Sequence, residues 1–100
     1  MAVTFTRTTR SYSGTTDTPT TQTTTLPGTA IRVRGDPHRY SALGLVESKA
    51  PTLLWIPTTY GDTPEPGDEV VWRSETYTAR DVEVVAPDGV TIAAKVIVEK

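Results

Sequence analysis

From Val90 to Glu99 the chain alternates strictly. Val90, Ile92, Ala94, Val96 and Val98 share one parity, and Thr91, Ala93, Lys95, Ile97 and Glu99 share the other. A period of two is the side-chain period of a β-strand, so this run is predicted to be one. Ala86-Pro87-Asp88-Gly89 just upstream reads as a short turn, in which proline presets φ and glycine accepts the positive φ that closes a hairpin. That turn joins the last strand to another over about Thr76–Ala86, and Pro64-Glu65-Pro66-Gly67-Asp68 leads into a third over Glu69–Trp72. Val70 beside Val71, Val84 beside Val85 and Val96 beside Ile97 put apolar residues on both faces. A sheet with one face in water does not tolerate that, so the sheet is expected to curl or to be covered by the rest of the chain. Residues 52–100 are thus expected to form the core sheet, with Ile92 and Val96 inside it.

The remaining half is read as what surrounds that sheet. From Val3 to Thr25 there are twelve threonines, interleaved with Phe5 and Tyr12, around a Ser13-Gly14-Thr15-Thr16-Asp17-Thr18-Pro19 turn. Threonine prefers a pleated backbone, so the segment suggests a polar hairpin with little to bury. A solvated arm, a hairpin ordered by a partner and a glycosylated stalk all fit this composition. Leu26-Pro27-Gly28-Thr29 reads as a type II turn that ends the arm at residue 28. Ala30–Arg34 follows as a strand with Ile31 and Val33 on one face and Arg32 and Arg34 on the other. Asp36-Pro37 is a helix start, an N-cap followed by proline at the first helical position, and Gly44 keeps that helix short. Residues 35–51 are expected to be a mobile mid-chain segment. Thr52–Ile56 is an apolar strand ended by Pro57. The result is one all-β domain, a small barrel or sandwich of about six strands with a short helix in its mid-chain insertion and a projecting N-terminal hairpin.

The inventory of reactive side chains points away from catalysis. There is no cysteine and a single histidine, His38. A zinc site would need carboxylates for its other ligands. Asp62, Glu65, Asp68 and Glu69 form an acidic cluster without the spacing of a calcium loop, and no phosphate-cradling glycine motif occurs. No enzyme activity, metal or cofactor is therefore expected. The net charge of −2 offers no global attraction to nucleic acid. No apolar run reaches the roughly 18 residues of a membrane span and no secretory signal is read, so no membrane partner is expected. The local exception is basic: Arg32, Arg34, His38 and Arg39 lie close together, and Arg7 and Arg10 recur in the hairpin. Such a patch suits phosphate backbone without base readout, although an ordinary solvated strand face has the same composition.

Several short motifs occur in an order that resembles a known family. They are Leu53-Leu54, then Pro64-Glu65-Pro66-Gly67-Asp68-Glu69-Val70, then Thr76-Tyr77-Thr78-Ala79 and Pro87-Asp88-Gly89, preceded by the Thr-rich hairpin and the Gly44-Leu45 pair. The chain is similar in this to the head-closure, or stopper, proteins of the head-tail connector of long-tailed bacteriophages. Where relatives commonly carry Asn-Gly or Asp-Gly before the Tyr strand, this chain has Arg73-Ser74-Glu75. The resemblance implies a structural virion protein, assembled in the bacterial cytoplasm into a homo-oligomeric ring. Its partners would be the portal and adaptor assembly on one side and the tail tube or tail terminator on the other. The ring would close the channel on packaged double-stranded DNA, which it would contact non-specifically. By position, the family's plug loop maps to residues 35–51, so Arg32, Arg34, His38, Arg39 and Lys49 are candidates to face the channel. Charge reversal at Arg39 is then expected to leave folding unchanged. Phe5, Tyr12, Leu43 and Leu45 are candidates for the subunit interface. The competing expectation is a carbohydrate-binding or adhesin-like β module, in which Trp55 and Trp72 would present aromatic faces to a ligand.

Overall fold

The computed structural model describes residues 1–12 and 19–100, and the side chains of residues 1–9 and 22–100. The expected turn from Ser13 to Thr18 and the Tyr12 side chain lie outside the described residues. The elements are β1 (Ala2–Tyr12), β2 (Pro19–Val33), α1 (Pro37–Leu43), β3 (Thr52–Pro57), β4 (Glu69–Trp72), β5 (Glu75–Val85) and β6 (Ala93–Glu99). The strands close into an antiparallel barrel in the order β1-β2-β3-β6-β5-β4. The sheet therefore curls fully, which explains how strands can carry apolar residues beyond a simple alternation.

The barrel is closed by a narrow seam, where β1 meets β4 only at Phe5↔Val70 and Thr6↔Glu69. Its interior holds Val3 and Phe5 from β1, Leu26 and Ala30 from β2, Leu53 and Trp55 from β3, Val70 and Trp72 from β4, Ala79 from β5, and Ala94, Val96 and Val98 from β6. Phe5 meets Trp55 edge-on, with ring centroids 5.3 Å apart and planes at 89°. The Trp55 indole N–H donates to the carbonyl of Val3 at 3.2 Å, so its one polar atom is satisfied in the core.

Three expectations are corrected. First, the chain does not turn at Pro27-Gly28: β2 runs through both, with Gly28 paired to Val3 on one side and Pro57 on the other. The glycine is there for space. A Cβ at residue 28 would lie 2.4 Å from Trp55 Nε1 and 2.5 Å from the carbonyl oxygen of Ile56. Second, the inward face of β2 is the opposite of the one read from its apolar residues. Ala30 is buried whereas Ile31 is 56% exposed, because the bulk of Trp55 opposite leaves room only for small residues. Third, β6 begins at Ala93, and Val90 and Ile92 are exposed. The Pro87-Asp88-Gly89 turn forms, with Gly89 at φ 79°. The chain is then drawn off the strand at Thr91, whose carbonyl accepts from the Gly61 N–H at 2.8 Å and whose hydroxyl meets that of Thr63 at 2.6 Å.

A β-bulge interrupts β5 between Ala79, opposite Val98, and Asp81, opposite Ile97. The extra residue, Arg80, resets the alternation, so that Ala79 and Val82 pack toward the interior while Asp81 and Glu83 point outward. The strand outruns the barrel at Val84 and Val85, which accounts for an apolar pair on opposite faces with both side chains partly exposed.

The β4–β5 connection is a two-residue hairpin, Arg73-Ser74, between the paired Trp72 and Glu75. Both residues have positive φ, 50° and 65°. Such a turn suits the twist of the strands but favours Asn and Gly, which adopt that region readily. Arg73 gains a compensating contact, its guanidinium lying 5.4 Å from the centroid of the Trp72 ring. Ser74 has no such contact. Ser74→Gly is expected to raise stability by about 1 kcal/mol by relieving the left-handed conformation, measured as a higher midpoint in urea unfolding; an unchanged or lower midpoint counts against this account of the turn.

Candidate functional site

The mid-chain segment is anchored on the outside of the barrel. Asp36 caps α1 by accepting from the His38 N–H at 2.9 Å, and Pro37 occupies the first turn. Tyr40 and Ala50 pack with Ile97, which β6 presents on its outer face, and Leu43 and Leu45 lie against them. The Tyr40 hydroxyl donates to the carbonyl of Ala50 at 2.5 Å and sits 2.7 Å from the Thr52 hydroxyl. Burial pushes the Tyr40 phenol pKa up. Glu47 closes the segment by accepting from the Gly35 N–H at 3.0 Å. A segment expected to be mobile is thus seated by an apolar cluster and its own hydrogen bonds.

Arg39 fastens this segment to the wall. Its Nε lies 2.5 Å from Asp81 Oδ2 and its Nη1 3.3 Å from Glu83 Oε2. The hydrogen bond to Asp81 raises the Arg39 pKa further above its already high ordinary value. The β5 bulge makes this possible, since it aims both carboxylates outward. Arg39 is therefore corrected from a free channel-facing cation to a paired one. Arg39→Glu would set three carboxylates side by side, so a loss of about 1 kcal/mol is expected in place of none. Chemical denaturation at low and high salt checks it: the loss should shrink as salt screens the repulsion.

The other basic candidates form no ion pair among the described residues. Arg32, Arg34, His38 and Lys49 are all exposed. Arg32 has the inward parity of Ala30 but lies at the barrel's rim, opposite Leu53, close enough for its charge to act on Tyr40 and Tyr77. Lys49 lines an open groove of about 400 Å³ together with Ser48, Glu75, Tyr77, Glu99 and Lys100. Within it Lys100 lies 2.5 Å from Glu75, which also accepts from the Tyr77 hydroxyl at 3.1 Å. These contacts hold the Glu75 carboxyl below its ordinary range. Arg32 and Lys49 thus share one end of the barrel, while acidic neighbours already offset part of the charge there.

A second ion pair, missed in the sequence, fixes the arm. Arg7 on β1 makes a bidentate contact to Asp68, Nε to Oδ1 at 3.0 Å and Nη2 to Oδ2 at 2.9 Å, and Nη2 also donates to the Thr63 carbonyl at 3.0 Å. Asp68 is buried, and its Oδ2 accepts from the Glu65 N–H at 2.9 Å as well. Both oxygens of this carboxylate therefore have a donor, as a buried charge requires. The hydrogen bond to Asp68 raises the Arg7 pKa. The acidic cluster read in the sequence is consequently split: Asp68 faces inward to Arg7, Glu65 lies 3.5 Å from the same guanidinium, and Glu69 is exposed on β4. Among the described residues, no three His, Asp or Glu side chains converge as metal ligands.

The interface candidates divide. Phe5 is corrected: it is 0% exposed and fills the barrel, so its side chain cannot meet a neighbour in this fold. Leu43 and Leu45 are half-buried against the Tyr40 cluster and present only part of their surface. Both tryptophans are interior, with Trp55 fully buried and Trp72 nearly so. Among the described residues, no helix is long and apolar enough to cross a membrane. Comparison with known protein families, with characterised proteins and with solved structures gave no match to this chain.

Proposed function

We propose that this chain is a structural subunit of a bacteriophage head-tail connector. In this reading identical copies form a ring in the virion, between the portal and adaptor assembly and the tail tube or terminator, and close the DNA channel after packaging. The observation that carries the reading is the arm. A small closed barrel, complete in its own core, projects a two-stranded polar ribbon that it does not cover, and fixes the ribbon's base with an ion pair to a buried carboxylate. An isolated two-stranded ribbon is marginal in water, so it calls for a neighbour. The motif order described above supplies the class of assembly.

The channel contact is assigned to Arg32, Arg34, His38 and Lys49, with Arg39 left out because its charge is spent on Asp81 and Glu83. A ring repeats these cations around one belt, so a chain of net charge −2 can still present positive potential locally. Contacts of this kind are made to phosphate, independent of base sequence and weakened by salt. The alternative of a carbohydrate-binding or adhesin-like module drew on the threonine content and on Trp55 and Trp72 as platforms; both tryptophans lie in the interior, which leaves it the threonine content alone.

The test is particles carrying Arg34→Glu with Lys49→Glu. Both side chains are exposed and form no ion pair among the described residues, so the isolated variant is expected to melt as the parent does, while particles lose genome retention. Variant particles that keep their DNA and infect normally would remove these residues from a channel role, and absence of the chain from purified virions would end the connector reading altogether.

A further inference from the structure

The arm has two open edges. From Arg7 to Tyr12, β1 pairs with β2 alone, because β4 reaches no further than Thr6. From Pro19 to Leu26, β2 pairs with β1 alone, because β3 begins its pairing at Gly28 and the Pro27 carbonyl already accepts from the Thr58 N–H. Each edge presents backbone N–H and C=O groups with no protein partner among the described residues. Proteins usually blunt such edges with lysines, inward charges, bulges or cover. Here Thr8, Thr9, Gln22, Thr23, Thr24 and Thr25 are exposed and uncharged. The prolines at 19 and 27 cannot donate and limit the usable β2 edge to Thr20–Leu26, close in length to the Arg7–Tyr12 edge. The clasp of Arg7 on Asp68 holds the ribbon at a set direction where it leaves the barrel, which lowers the ordering cost of pairing it.

We infer that the ribbon is a β-augmentation site whose occupant is the same ribbon of a second copy, with the Arg7–Tyr12 edge of one chain pairing to the Thr20–Leu26 edge of the next. The inference deepens the ring reading and rests on it. Edge accounting selects this arrangement over its two-fold rival. Pairing β1 with β1 about a two-fold axis stops at two copies and leaves both β2 edges open. Pairing β1 with β2 leaves an edge open only at the ends of a chain of copies, and none once rotation closes it into a ring. Association through backbone hydrogen bonds also explains why the ribbon needs no apolar face, and β-branched threonine suits an added strand.

The test uses the absence of cysteine from the chain. Thr8→Cys and Thr23→Cys are placed on the two edges, each alone in the full chain, and a short bismaleimide is added to each concentrated protein and to their mixture. Thr8 and Thr23 are direct partners within one chain and so share a face of the ribbon, and a rotation that continues the sheet keeps that face common to neighbouring copies. Each chain carries one cysteine, so every link joins two chains. The mixture should give the mixed dimer in excess over either self-linked dimer on a denaturing gel. A product confined to the Thr8–Thr8 dimer overturns the inference in favour of two-fold pairing. So does a yield no greater than that of Ser41→Cys on the exposed side of α1. The two proposals fail separately: a mixed dimer from a chain absent from virions removes the connector reading alone, and genome loss in the Arg34 and Lys49 particles without a mixed dimer removes this inference alone.

Discussion

Phe5→Ala is expected to cost about 3–5 kcal/mol, a large part of the stability of a domain of this size. The side chain is fully buried and sits edge-on to Trp55, so truncation removes its own transfer free energy, an aromatic pair and the support of the largest core residue. Relaxation into the cavity is limited, because β1 is held on one side by β2 along its whole length and on the other by β4 at Phe5 itself. The measurement is the urea midpoint at unchanged slope. Thr8→Ala and Thr24→Ala on the projecting ribbon should stay within about 0.5 kcal/mol, since both replace exposed side chains. A Phe5→Ala variant that unfolds like the parent would mean that the N-terminal strand does not belong to the barrel. The arm is thus two things: its base belongs to the core through Val3, Phe5 and Leu26, and only its outer part is polar and uncovered.

Gly28→Ala is the second large effect, expected at about 3 kcal/mol or more, at the upper end of overpacking costs. The added methyl would overlap the Trp55 ring at 2.4–2.5 Å and the Ile56 carbonyl oxygen at 2.5 Å. The ring could swing only by giving up its hydrogen bond to Val3, and the carbonyl belongs to the neighbouring strand. Positive φ plays no part here, which separates this site from the turn glycines. Pairing Gly28→Ala with Trp55→Phe should recover part of the loss, because phenylalanine lacks the atoms nearest the new methyl. Full tolerance of Gly28→Ala alone would return the segment to the turn that Pro27-Gly28 suggests by composition.

The sequence alone determined where the Pro-Asp-Gly turn lies, how α1 begins and ends, that the whole is a small all-β domain with a short helix, and where the strands of the C-terminal half lie, except that β6 starts at Ala93 and not at Val90. These features are local: period, caps and turn residues act within a few positions. What it left open is which face of a strand is inside. Ile31 and Ala30 compete for the interior of β2, hydrophobicity favours Ile31, and the structure places Ala30 there because Trp55 from β3 fills the space. The bulge at Arg80 is of the same kind, since it reverses the parity of Asp81 and Glu83 and so creates the Arg39 contact. The Arg7–Asp68 clasp joins residues 61 positions apart. Periodicity states which residues share a face; only the residue packed across the barrel decides whether that face is in or out, and contacts between distant positions exist only once the strands have closed.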